Sequence, residues 1–135
     1  YYSGIAEFVK RVHVKARKTG YVETILGRRR NMNILGITDF NNFGRRNYAE
    51  NSSISHSVSG SSADLIKLAM INIRDKYRGK VIQRFQVHDE LLMEVKESEG
   101  EKYLKLVKAE MENAMTLKVP IVADASLGHS WRAVH

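Results

Sequence analysis

The sequence predicts an α+β fold, with helices packed on a small antiparallel sheet that contains a central β-hairpin. Three observations carry this expectation. Residues 4–18 and 99–115 place apolar side chains at three- and four-residue spacing, residues 81–95 alternate in two runs about a short polar centre, and no internal repeat points elsewhere. With 135 residues, 43% of them hydrophobic, and a single Pro, the chain fits one ordinary domain rather than a disordered segment.

Each element has its own signal. Ile5, Phe8, Val9 and Val12 line one face of the first predicted helix, and Gly20 stops it. Residues 21–26 (YVETIL) read as a strand, after which Gly27 turns the chain into Arg28, Arg29 and Arg30, an expected exposed basic loop. Residues 40–51 are predicted helical with Asp39 as N-cap. Seven serines fall within residues 51–62, which predicts a polar connection because Ser competes for nearby backbone groups.

Leu65, Leu68, Ala69 and Ile73 mark the next helix, ended by Gly79. In the hairpin, Val81, Gln83, Phe85 and Val87 are expected on one face and Ile82, Arg84 and Gln86 on the other. Leu91, Met93 and Val95 alternate with Leu92 and Glu94, and His88-Asp89 forms the turn. Leu104, Val107, Met111 and Ala114 give the last long helix its apolar face. Pro120 opens an expected final strand over 120–126, before a tail around Trp131 and His135. Met70, Met93, Met111 and Met115 read as core filler, Tyr21 and Trp131 as packing residues, and His13 and His56 as surface residues.

Composition excludes several classes. Without Cys there is no disulfide scaffold and no thiolate metal site. No apolar run approaches the roughly 18 residues needed to span a bilayer, and the charged opening is unlike a signal peptide. The chain is expected to be cytoplasmic, with no membrane partner. It lacks an initiator Met, so it is expected to be a piece of something longer. The net charge of +7 sits entirely in residues 1–46, which carry ten Lys/Arg and three acids; residues 47–135 hold twelve of each sign. Such a block suits a polyanion, because Lys and Arg that neutralise phosphates release counterions. A solvated helix face plus a loop accounts for the same charges.

The hairpin centre carries the chemistry. Asp89-Glu90 fits a turn for backbone reasons alone, since Asp is a common turn former. It equally offers Mg²⁺ a hard carboxylate at Asp89 on a rigid mount. One carboxylate is not a two-metal site, so a partner carboxylate must come from elsewhere.

Residues 86–95, QVHDELLMEV, resemble the palm motif QVHDELVFEV of family A DNA polymerases, the bacterial DNA polymerase I group. Residues 20–24 (GYVET) followed by Gly27-Arg28-Arg29-Arg30 resemble that family's GYVETLxGRRR. Ala49-Glu50, residues 60–67 (GSSADLIK) and Ala69-Met70-Ile71 resemble its AER…QGSAADIIK..AMI block. Val119-Pro120, Gly128, Trp131 and the terminal His135 resemble its usual close. Any single motif could be chance; four in order and spacing are specific.

The resemblance implies half of a polymerase palm with the rear of the fingers. About 1–60 would hold fingers and palm helices, a strand and the basic loop; about 61–135 would hold palm with the catalytic hairpin. It implies templated extension of a DNA primer by dNTPs on a two-metal Mg²⁺ site that includes Asp89 and is completed by an aspartate outside this chain. His88 and Glu90 flank the metal-binding position, as a donor near the primer terminus and a carboxylate near the metals. Arg28, Arg29, Arg30 and Arg46 would contact primer-template DNA. A bacterial or phage origin is assumed, with an organelle as the alternative source.

The chain also departs from the family. Asn51 replaces an Arg, Ser55 an Asn and Ser59 a Gln that lie along the primer-template minor groove in relatives; Ser57 and Asn33 replace prolines. A Ser hydroxyl reaches less far than Gln toward the groove acceptors, so weaker mismatch discrimination is expected. The first palm aspartate and the fingers helix that holds the triphosphate would lie before Tyr1, so the chain alone is expected to be inert. It is also expected to show a cut sheet edge or apolar face, with low stability or self-association. Two rivals stay open: a stand-alone DNA-binding remnant without chemistry, and a metal-dependent hydrolase using His88, Asp89 and His129 or His135.

Overall fold

The computed structural model describes residues 2–134. It is α+β, with the strands divided between two separate two-stranded antiparallel sheets. The elements run α1 (Ser3–Thr19), β1 (Tyr21–Glu23), β2 (Arg29–Asn31), α2 (Phe43–Lys76), β3 (Ile82–Val87), β4 (Glu90–Glu94), a short 3₁₀ turn (Glu97–Glu99), α3 (Gly100–Glu112) and α4 (Trp131–Val134). The chain forms two compact units, one through Asp64 and one from Leu65, and α2 contributes to both.

The first unit is built on α1, the β1–β2 hairpin and residues 43–64. Gly20, left-handed at φ 77°, ends α1 by donating its N–H to Ala16 O. Ala16, Val22, Met32, Ile37 and Ala49 form its core, with Val12 and Leu35 packed against them. Ile5, expected inside, is exposed. The basic run is not a loop. Arg29 and Arg30 lie in β2, paired with Glu23 and Val22; of the strand expected over 21–26 only Tyr21–Glu23 is strand, because Ile25 and Leu26 make the turn, closed by Gly27 N donating to Thr24 O.

The serine-rich segment is the largest departure from expectation: it is helix throughout, inside α2. Its hydroxyls supply the reason. Ser57 Oγ donates to Ser53 O and Ser61 Oγ to Ser57 O, one turn back, so they bond within the helix instead of competing with it. These small residues also admit the neighbouring hairpin: Ser53 is fully buried, and Ile25 N donates to Ser61 Oγ at 2.9 Å. The cap lies further along than expected. Asn42 Oδ1 accepts from Arg45 N, while Asp39 Oδ1 accepts from Asn42 N in the preceding turn.

The second unit packs residues 65–76, the β3–β4 hairpin and α3 around Ile73, Val81 and Tyr103. Leu91, Met93, Val95, Val107 and Met111 pack against that core. Tyr77 meets Tyr103 edge-on, its ring centroid 5.8 Å away. The expected final strand is absent: residues 120–126 form no ladder among the described residues. Pro120 offers no N–H, and Ala123 N is satisfied by Glu112 Oε1 rather than by a strand. His135 lies outside the described residues.

Candidate functional site

The β3–β4 hairpin positions the acidic pair. Ile82 pairs with Glu94 and Val87 with Glu90, leaving a two-residue turn at His88-Asp89. His88 is left-handed at φ 53°, a region where His is tolerated better than most side chains. Gln86 braces the turn, its Nε2 donating to His88 O at 2.8 Å. Sequence reasoning gave Gln86 no role; its place two residues before the turn was the available signal. His88, Asp89 and Glu90 are all exposed, and adjacency in the chain brings them together.

A bulge at Arg84 changes which side chains share a face. Gln83 pairs with Met93 but Phe85 pairs with Leu92, so Arg84 is the extra residue and Phe85 moves to the face opposite Gln83. The expected grouping of Gln83 with Phe85 and Val87 is therefore broken. Gln83 turns to the core side, where its Nε2 donates to Met70 O. Phe85 instead meets Trp131 edge-on at 5.1 Å, and Ile82, Phe85 and Val87 stay substantially exposed.

Among the described residues, no three His, Asp or Glu side chains gather closely enough to hold a metal ion. What the hairpin provides is an exposed carboxylate at Asp89, on a turn braced by Gln86, with that of Glu90 next in the chain. Those are hard oxygen donors of the kind Mg²⁺ takes one or two at a time. His129, raised as a ligand for a hydrolase, lies 3.8 Å from Glu97.

In the first unit the arginines differ in what they do. Arg28 Nε donates to Asp64 Oδ1 at 2.9 Å and its Nη2 to Gly60 O, tying the hairpin to α2. The ring of His56, half-buried rather than on the surface, lies 3.3 Å from Arg28 O. His13 is also not a plain surface residue: its Nε2 is buried with no hydrogen-bond partner. Arg29 bonds Glu23 at 2.9 Å and lies over the Tyr21 ring. Lys15 also bonds Glu23, and the two cations hold its carboxyl below the usual range. Arg30 is exposed, its side chain making no ion pair or hydrogen bond among the described residues. Arg46 faces Glu50 at 3.9 Å.

Asn51, Ser55 and Ser59 follow at four-residue intervals along α2, and all three are exposed. That spacing makes one stripe along the helix, separate from the Ser53, Ser57 and Ser61 stripe that meets the hairpin.

The model of DNA polymerase family A matches residues 1–133. The chain belongs to DNA polymerase family A. It is 41% identical over 136 residues to DNA polymerase I of Streptococcus pneumoniae, covering 96% of this chain and 15% of that protein. Against DNA polymerase I of Geobacillus stearothermophilus the identity is 37% over 133 residues, with the same coverage. Among solved structures, it resembles the POL domain of Pol1 from M. smegmatis in complex with DNA primer-template and dNTP. The TM-score is 0.83 at 40% identity, over 97% of this chain and 23% of that one. The family A chain described here thus spans about 15% of the length of the curated relatives it matches. No described helix is long and apolar enough to cross a membrane.

Proposed function

We propose that this chain supplies the catalytic hairpin and part of the DNA-binding surface of a DNA polymerase that extends a primer 3′-hydroxyl with dNTPs. The observation that supports the reading is Asp89, exposed on a two-residue turn braced by Gln86, within the run QVHDELLMEV that resembles the family's palm motif. The unit from Leu65 would be palm, and the unit through Asp64 would be rear fingers and adjoining palm. The protein would work in the cytoplasm on primer-template DNA.

Asp89 would hold Mg²⁺, with Glu90 nearby and an aspartate outside these residues completing a two-metal site. When bound, the metal supplies positive charge where the primer oxygen and pyrophosphate become negative. His88 would donate near the primer terminus. Arg30 and Arg46 would meet phosphates directly, joined by Arg29, while Arg28 would act mainly by holding the hairpin against α2. Asn51, Ser55 and Ser59 would face the minor groove with shorter reach than the residues they replace.

The test is primer extension by the intact gene product with and without Asp89→Asn. The substitution should lower the rate by about a thousandfold or more while leaving primer-template binding intact. Extension at an unchanged rate would remove Asp89 from the site, and no extension by the unsubstituted protein would remove the activity.

A further inference from the structure

The first unit carries two exposed aromatic rings, Phe40 and Phe43, that the catalytic reading does not use, beside the Arg46 that it assigns to phosphate. Phe40 is 68% exposed and Phe43 72%, and both rings lie close to one guanidinium. Arg46 Cζ lies 5.7 Å from the Phe40 centroid and 5.5 Å from that of Phe43, so the two rings are no more than about 11 Å apart. Neither ring belongs to the core around Ala16 and Met32. Neither is needed to start α2, because Asn42 and Asp39 make the turn and the cap.

The surrounding backbone is fixed. Arg45 Nη2 donates to Ile34 O at 3.1 Å, and Arg45 lies 3.6 Å from Asp39. Its stem crosses Gly36 so closely that a Cβ there would lie 2.7 Å from Arg45 Cγ. Arg45 therefore holds the loop, and Arg46 lies beside both rings, 3.9 Å from Glu50. Residues 28–46 carry five arginines against a single acid, Asp39.

We propose that Phe40 and Phe43, with Arg46 beside both, form a stacking platform for unpaired bases of single-stranded nucleic acid. Exposed rings beside a cation suit splayed bases, whose faces a duplex hides, and the arginine excess attracts the backbone that links them. A protein partner would also use the rings but gains less from that positive charge. The inference rests on the polymerase reading and adds to it a contact with template beyond the paired region.

The experiment titrates the intact gene product with two labelled DNAs, a blunt duplex and the same duplex with a single-stranded 5′ extension. Phe40→Ala with Phe43→Ala should weaken binding of the extended DNA about tenfold and leave the blunt duplex unchanged. Phe40→Trp with Phe43→Trp should keep the affinity, and the circular dichroism of both variants should match the unsubstituted protein. Equal losses on the two DNAs, or none, would overturn the platform while leaving the duplex contact standing. Loss of self-association in sedimentation, with both affinities unchanged, would assign the rings to a protein contact and likewise overturn it. Failure of the unsubstituted protein to bind either DNA would overturn the DNA-binding reading as well.

Discussion

Gly60 lies so close to Thr24 that a Cβ at Gly60 would sit 2.8 Å from Thr24 Cγ2. This contact sets the approach of the β1–β2 hairpin to the middle of α2. In an open helix, Gly→Ala stabilises by about 1 kcal/mol. Here the clash reverses the sign, and Gly60→Ala should destabilise by about 1 kcal/mol or more. Thr24→Ser removes the methyl yet keeps the Oγ1-type acceptor for Arg28 N. The double variant should therefore recover the loss, read as a coupling in chemical denaturation. Additive effects would show that the methyl is not the obstacle.

His88 at φ 53° makes a second prediction. Gly adopts this conformation without a Cβ penalty, whereas a β-branched side chain resists it. His88→Val should be less stable than His88→Gly by about 1–2 kcal/mol. Equal melting temperatures for the two variants would show that the turn rearranges around residue 88.

The Glu50 carboxyl is held below its ordinary value of 4.5, chiefly by the hydrogen bond from Arg17, with His13 and Arg46 adding charge. As pH falls, the unfolded chain takes up this proton first. The stabilisation is complete above the ordinary value and is lost as pH falls through the lower, folded one. Glu50→Gln should cost about 0.5–1 kcal/mol at neutral pH, solvent screening the partly exposed pair, and flatten the acid limb of the stability profile. A variant whose melting curve tracks the unsubstituted chain from neutral to acid pH would contradict the role of this pair.

Ser59 stands exposed on the stripe shared with Asn51 and Ser55. In the intact gene product, Ser59→Gln should raise extension of matched over mismatched primers about threefold to tenfold, the equivalent of one net hydrogen bond. An unchanged ratio would mean that this stripe does not probe the terminal base pair.

Two amphipathic helices, the hairpin with its turn at His88-Asp89 and the family resemblance were legible in the residues alone. Those signals are local: apolar periodicity, two alternating runs and ordered motifs survive without knowledge of any neighbour. Tertiary structure decided the rest. Residues 51–62 are helix because Ser53, Ser57 and Ser61 bond within α2 and admit a hairpin that Arg28 ties to Asp64, far along the chain. Arg29 and Arg30 are strand because Glu23 and Val22 offer a ladder. Residues 120–126, with apolar strand-forming side chains, found no ladder among the described residues and stayed irregular. The face of Phe85 depended on one extra residue, Arg84, which alternation in sequence cannot reveal because both strands must be seen paired.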